Sequence, residues 1–141
     1  MRPARAITYG GLALAGFALT AGAARQFGGV AGRVEHRFAE RGGVRTHYVA
    51  LGTGPLVMLV HGIPEFWYSW RRQLGPLAAA GFRVAAVDQR GFNRSDKPAA
   101  SEGYATREVV EDVAAVVRGE GYDKAHVVGH DSGALVAWLF A

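Results

Sequence analysis

The most restrictive feature of the sequence is the segment GHDSGA at residues 129–134, which follows an apolar stretch at residues 125–128. Small residues on both sides of Asp131 let a strand and a helix cross at close range and hold the central side chain up at a sharp bend. If Ser132 were the central residue instead, the bulky His130 would occupy a crossing position. The pattern therefore predicts a tight strand-to-helix bend with Asp131 at its tip.

Other apolar runs predict a parallel sheet. Leu56–Val60 is continuously apolar between turn signals, as expected for a strand buried on both faces. Residues 82–87 and 125–128 repeat this pattern, and valines at helical spacing lie between them. The boundary signals of that helix are Thr106 as a candidate N-cap and Gly119 or Gly121 as a stop. Alternation of strand and helix indicates the α/β class.

The segments on either side of the first buried run have different patterns. Residues 34–39 and Val44–Leu51 alternate in polarity around a glycine turn and predict an antiparallel hairpin. Apolar residues at helical spacing follow the first buried run, and Gly75-Pro76 should kink or restart that helix. These apolar residues are Trp67, Trp70, Leu74 and Leu77.

The first residues resemble a leader. A positive start, an uncharged run at residues 6–24 and a small-residue triplet at 21–23 are typical of a secretory signal peptide, which predicts export to the periplasm or the medium. An uncleaved membrane anchor formed by residues 6–24 is the alternative, because roughly twenty apolar residues span a bilayer. Membrane contact is expected only in that case. Residues 25–32 are interpreted as a linker and residues 33–141 as one domain.

Composition excludes several classes of function. The net charge of +4 comes from Lys and Arg that are scattered rather than clustered, so a nucleic-acid partner is not expected. The sequence contains no cysteine, which removes disulfides, thiolate metal sites and a cysteine nucleophile. We predict no metal and no cofactor.

A carboxylate at a strained bend suggests covalent catalysis. It can attack an electrophilic carbon and leave an enzyme ester that water then hydrolyses. The competing interpretation is that Asp131 merely caps the helix that follows. The loop HGIPE at residues 61–65 directly follows the first buried strand. A loop there supplies one backbone N–H of an oxyanion hole, and the residue after the nucleophile supplies the other, so Ile63 and Ser132 are the predicted donors.

Three motifs in order carry a family resemblance: HGIPEFWYSW at 61–70, DQRGFNRSDKP at 88–98 and GHDSGA at 129–134. They resemble the epoxide hydrolase branch of the α/β-hydrolase superfamily, over residues 33–141. The resemblance implies the N-terminal half of the α/β-hydrolase fold, with a hairpin leading into a mainly parallel sheet with flanking helices. It also implies a small-molecule substrate, an epoxide opened to a vicinal diol through an aspartyl ester on Asp131, and a cis Ile63-Pro64 bond.

The same resemblance leaves alternatives open. The family usually has Trp after its nucleophile, whereas this chain has Ser132. A haloacid or haloalkane dehalogenase of the same fold is the alternative enzyme, and a truncated, non-catalytic pseudo-hydrolase is the alternative of another class. By the resemblance, a later acid, a later His and two lid tyrosines would follow residue 141. The chain is therefore expected to be a fragment that cannot turn over.

Further residues near these motifs are candidates for contact with substrate. We predict His61, Pro64 and Trp67 as substrate-binding residues, although aromatic residues at helical spacing are more often core. The DQRG segment at residues 88–91 is interpreted as loop-shaping through an ion pair or a cap.

Overall fold

The computed structural model describes residues 29–141, and these form a five-stranded sheet with helices on both faces. The strands are β1 (Glu35–Arg41), β2 (Val44–Leu51), β3 (Leu56–Val60), β4 (Arg83–Val87) and β5 (His126–Gly129). Their order across the sheet is β1-β2-β4-β3-β5. The predicted leader at residues 1–24 and the first half of the predicted linker, residues 25–28, lie outside the described residues.

The helices are α1 (Arg71–Ala79), α2 (Thr106–Gly119) and α3 (Ser132–Phe140). Three short 3-10 turns accompany them at Val30–Gly32, Trp67–Trp70 and Ser101–Tyr104. Within residues 29–141 there is no helix with the length and apolar character needed to cross a membrane.

The strand pairing combines an antiparallel hairpin with a parallel core, as predicted. β1 pairs with β2 antiparallel, and β2 pairs antiparallel with β4, so that Tyr48 lies opposite Val87. β3 runs parallel to both β4 and β5, with Val60 opposite Gly129. The carboxyl ends of three parallel strands therefore meet at one edge of the sheet, where ligands bind in open α/β folds.

Alternation along the central strands separates two apolar layers. Met58 and Val60 face α2 and α3 in a cluster that includes Val113. Leu59 faces the other way, into a cluster with Leu74 of α1. All five residues of β3 are buried, which explains why that strand is a continuous apolar run rather than an alternating one.

Several predicted boundaries differ from the structure. Thr106 is the first residue of α2 and Ala105 holds the cap position, so the predicted N-cap at Thr106 is wrong. Pro76 lies inside α1, and the change of helix type comes earlier, where the 3-10 turn Trp67–Trp70 meets Arg71. The packed domain also begins before residue 33, because Val30 is buried in the core.

Candidate active site

The strand-to-helix bend has the tight geometry that the small residues predict. Asp131 connects β5 to α3 with φ 53° and ψ −123°, a positive φ that non-glycine residues rarely adopt. A Cβ atom on Gly129 would lie 2.0 Å from the carbonyl oxygen of Gly133, and a Cβ on Gly133 would lie 2.3 Å from that of Val60. Only glycine fits at either position, which confirms that Asp131 occupies the tip.

The Asp131 carboxylate points at backbone N–H groups. Ile63 N donates to its Oδ1 at 3.1 Å. The Ser132 N–H has the largest effect on the pKa of this carboxyl, and together with the Ile63 N–H it holds the pKa below its usual range. Both predicted donors thus act on one exposed carboxylate: Ile63 through a hydrogen bond to Oδ1 and Ser132 through its effect on the pKa.

The helix-cap interpretation of Asp131 does not fit this geometry. Asp131 occupies the N-cap position of α3, but its side chain makes no capping hydrogen bond of the kind that an N-cap residue makes to the N–H groups of the second or third helical residue. The close approach of the other loop explains why residue 62 is glycine: a Cβ there would lie 2.6 Å from the Cβ of Asp131. The bend and the loop after β3 are thus fitted to each other around the carboxylate.

His61 has a structural role in this loop, and its contact with substrate stays a prediction. Its side chain is fully buried. Nδ1 lies 2.7 Å from the Gly62 carbonyl oxygen, and Nε2 lies 2.9 Å from the Gln89 backbone nitrogen. A carbonyl accepts and a backbone N–H donates, so the ring carries its proton on Nδ1 and has no free nitrogen. Burial holds the pKa of His61 below its usual value, which keeps the ring neutral.

Comparison with known proteins identifies the family to which the chain belongs. A family profile described as "alpha/beta hydrolase fold" matches residues 55–141. The chain belongs to the α/β-hydrolase fold family. Epoxide hydrolase B of Mycobacterium tuberculosis is 51% identical over 110 residues, which are 75% of this chain and 31% of that protein. Epoxide hydrolase 1 of Caenorhabditis elegans is 50% identical over 109 residues, covering 76% of this chain and 27% of that protein.

Solved structures of epoxide hydrolases also superpose on this chain. An epoxide hydrolase from an endophytic Streptomyces superposes with a TM-score of 0.75 at 53% identity, covering 77% of this chain and 33% of that one. The Vigna radiata enzyme VrEH1 gives a TM-score of 0.74 at 37% identity over 77% of this chain and 35% of that one. This α/β-hydrolase is thus epoxide hydrolase-like, and it spans about a third of the length of these relatives.

Pro64 and Trp67 occupy different environments in this α/β-hydrolase. Ile63-Pro64 is a cis peptide, as the resemblance implied, and Pro64 is exposed beside the N–H donor. Its contact with substrate stays a prediction. Trp67 is 6% exposed and packs with Leu74 in the core under α1. The burial of Trp67 agrees with the core interpretation of this residue, and its contact with substrate stays a prediction.

Asp88, in the segment predicted to shape the loop after β4, is a buried carboxylate that orders this loop. Asp88 accepts hydrogen bonds from His47 Nδ1 at 2.6 Å, Trp67 N at 2.8 Å and Asn93 Nδ2 at 2.8 Å. Burial alone raises the pKa of Asp88, but these hydrogen bonds outweigh it and leave the pKa lowered. Asp88 thus links β2, the Trp67 turn and its own loop, which agrees with a loop-shaping role.

Arg90 in the same loop is also structural. Its Nε and terminal nitrogen donate to the two oxygens of Asp112 at 2.6 and 2.7 Å, a bidentate pair inside the domain. Both side chains are nearly fully buried. This pair fastens the loop to α2 and confirms the ion pair expected for the segment at residues 88–91.

An open cleft of about 180 Å³ adjoins the carboxylate site at the carboxyl edge of the sheet. Ile63 and Ser132, whose N–H groups hold Asp131, form one end of it. Its other walls are mainly apolar and include Phe92, Tyr104 and Leu135. Sequence reasoning missed these wall residues because they come from three separate segments, and no local spacing marks them.

Proposed function

We propose that the whole protein hydrolyses epoxides to vicinal diols and that Asp131 is its nucleophile. The observation that carries this proposal is a carboxylate at φ 53°, held by the Ile63 N–H and making no capping hydrogen bond to its own helix. The similarity to epoxide hydrolases of a bacterium and a nematode supports the choice of substrate. A structural cap would have no reason to adopt this strained geometry.

The first chemical step forms an ester. Asp131 Oδ2 attacks a carbon of the epoxide. The bond between that carbon and the ring oxygen breaks, and its electron pair moves to the oxygen to give an alkoxide. The alkoxide takes a proton from a donor of the whole protein or from water. The hydrogen bond from Ile63 N to Oδ1 orients the carboxylate for this attack, and the lowered pKa keeps it ionised at neutral pH.

The second step hydrolyses the ester and regenerates the free enzyme. Water, deprotonated by a base, attacks the ester carbonyl carbon, and negative charge develops on the oxygen that was Oδ1. The Ile63 N–H already donates to this oxygen, and the Ser132 N–H acts on the same carboxylate, which supports the proposal that these two groups stabilise the charge. Collapse of this intermediate expels the diol and regenerates Asp131. By the resemblance, the base is a His that follows Asp131 in the chain.

The proposal is tested by trapping the ester. The protein is incubated with styrene oxide and analysed by intact-mass and peptide mass spectrometry, and diol is followed in parallel. We expect an adduct on the peptide that contains Asp131, or diol where the ester turns over. Asp131→Asn should show neither, because an amide is a far weaker nucleophile than a carboxylate.

Asp123→Asn is the matched control, because Asp123 is an exposed aspartate in the turn before β5. It should react as the unmodified protein does. Adduct or diol formation that survives in Asp131→Asn would contradict the assignment of the nucleophile. Release of halide from chloroacetate without any reaction with epoxides would contradict the assignment of the substrate.

A further inference from the structure

The hydroxyl of Ser132 is a buried polar group without an aligned hydrogen bond. Its Oγ is closed to solvent, and within residues 29–141 no acceptor or donor meets it with hydrogen-bond geometry. A buried polar group without a partner is costly, and nearly all such groups in folded proteins are paired. The surroundings of this hydroxyl indicate which acceptor it serves.

The acceptor of the Ser132 hydroxyl must belong to the folded residues themselves. Water, substrate or any group outside the described residues would have to approach the Oγ from solvent, and the Oγ is closed to solvent. Ser132 is the first residue of α3 and directly follows Asp131. The Ser132 N–H is the largest cause of the lowered pKa of Asp131, and the Ser132 hydroxyl contributes in the same direction. The acceptor within reach is therefore the Asp131 carboxylate.

The two oxygens of this carboxylate have different surroundings. Oδ1 accepts the Ile63 N–H at 3.1 Å. In the proposed mechanism Oδ2 faces the epoxide, so a hydroxyl that is closed to solvent is assigned to Oδ1. The hydroxyl hydrogen rotates about the Cβ–Oγ bond. It can therefore follow a small movement of Oδ1, whereas a backbone N–H is fixed in its peptide plane.

We propose that the Ser132 hydroxyl is a third hydrogen-bond donor to Asp131 Oδ1 and that it stabilises the negative charge on this oxygen during ester hydrolysis. This role rests on the proposed function and adds a side-chain donor to the two backbone donors of Ile63 and Ser132. Ser132 stands where the family usually has Trp. The hydroxyl donor is therefore a property of this chain's own residue 132.

The charge on Oδ1 determines which step the hydroxyl favours. The free carboxylate is negative and its ester is neutral, so a donor at Oδ1 does not favour ester formation. Hydroxide then bonds to the ester carbonyl carbon, and the carbonyl electron pair moves to Oδ1. Collapse returns that pair and breaks the bond from this carbon to the former Oδ2, which leaves with the diol and takes a proton from water. The hydroxyl therefore favours the second step and not the first.

The test measures the two steps separately in the same protein. Adduct formation with styrene oxide is followed by intact-mass spectrometry. The excess epoxide is then removed, and adduct loss is followed at alkaline pH, where hydroxide attacks the ester. Ser132→Ala should slow adduct loss by about tenfold or more, because one donor to the oxyanion is removed. Its rate of adduct formation should be no lower than that of the unmodified protein.

Further variants identify the hydroxyl as the cause. Ser132→Thr keeps a hydroxyl and should keep the rate of adduct loss, whereas Ser132→Gly should behave as Ser132→Ala does. Ser101→Ala is the matched control, because Ser101 is an exposed serine that also begins a helical turn. It should change neither rate.

Three results would overturn the assignment of the hydroxyl. The first is an unchanged rate of adduct loss in Ser132→Ala and Ser132→Gly. The second is parallel slowing of both steps in these two variants, which indicates a structural role. The third is equal slowing of adduct loss in Ser132→Thr, which assigns the effect to side-chain shape.

Failure of the proposed function gives a different result. If no adduct forms on Asp131 in the unmodified protein, the proposed function fails. The hydrogen bond is then tested on the free carboxylate by NMR titration of the aspartate carboxyl carbons. Ser132→Ala should raise the pKa of Asp131, because a donor to the ionised form is removed, and Ser101→Ala should leave it unchanged. An Asp131 pKa that is the same in Ser132→Ala and the unmodified protein would overturn the assignment of the hydroxyl.

Discussion

Replacement of Gly133 by alanine tests whether the tight crossing of α3 over β3 positions Asp131, the proposed nucleophile. The added Cβ would lie 2.3 Å from the Val60 carbonyl oxygen and 2.5 Å from that of His61. Real Cβ contacts stay at 3.0 Å or more, so α3 must retreat by about 0.7 Å. Both carbonyl oxygens belong to the backbone at the end of β3. The backbone cannot move aside as a flexible side chain could.

Two effects of opposite sign determine the stability of this variant. Alanine in place of a helical glycine contributes about 0.5–1 kcal/mol through reduced backbone entropy. Overpacking of a close contact costs about 1–3 kcal/mol. We therefore expect Gly133→Ala to be destabilised by up to about 2.5 kcal/mol, measured as the free energy of unfolding in urea.

Gly75→Ala provides the matched control for this experiment. Gly75 lies in helix α1, and a Cβ built on it meets nothing within 4 Å. The same chemical change should stabilise the protein there by about 0.5–1 kcal/mol. The difference between the two variants isolates the steric cost at the bend, which is about 1–3 kcal/mol.

The chemical consequence of Gly133→Ala is followed in the same protein. A retreat of α3 lengthens the distance from Ile63 N to Asp131 Oδ1 from 3.1 Å to beyond the usual range of a hydrogen bond. Ester formation with styrene oxide should slow by at least tenfold, because misplacement by an ångström is costly in catalysis. Stability equal to Gly75→Ala together with an unchanged rate of ester formation would refute the reasoning.

Two further predictions follow from the carboxylates. Asp88→Ala leaves buried hydrogen-bond donors of His47 and Trp67 without a partner. The free energy of unfolding, measured in urea, should therefore fall by about 3–5 kcal/mol. A loss below about 1 kcal/mol, as expected for an exposed aspartate, would contradict the assigned role. Ester formation at Asp131 should remain constant as pH falls from 7 and decline only below the ordinary aspartate pKa of 3.8, because N–H donors led by that of Ser132 stabilise the ionised form. A decline centred above 4 in the adduct yield would show that these donors do not act on the free carboxylate.

Features determined by local sterics were predictable from the sequence. The bend at residues 129–134 is encoded by glycines whose replacement would collide with backbone, so the position of Asp131 could be read from spacing alone. β3 and the hairpin of β1 and β2 were likewise recognisable, because each shows its pattern of burial within a few residues. The cis bond before Pro64 came from the family resemblance rather than from the residues themselves.

Features that depend on distant parts of the chain were not predictable. His47 and Asp88 are 41 positions apart, and nothing in either segment identifies the other as its partner. His61 follows the apolar strand and precedes a loop, a position consistent with either a site residue or a buried brace. Only the tertiary structure shows that both ring nitrogens are hydrogen-bonded, Nδ1 to the Gly62 carbonyl and Nε2 to the Gln89 backbone N–H. Thr106 has the chemistry of a cap, but the turn before α2 places Ala105 there instead.

The hydrogen bonds of His61 connect the loop after β3 with the loop after β4. Its imidazole joins the loop after β3, which presents the Ile63 N–H, to the backbone of Gln89 after β4, which lines the cleft. A change that reshapes the cleft through the second loop will therefore also shift the amide that holds Asp131. Under the proposed function, redesign of the loop after β4 is therefore expected to change the rate of ester formation at Asp131 together with the shape of the cleft.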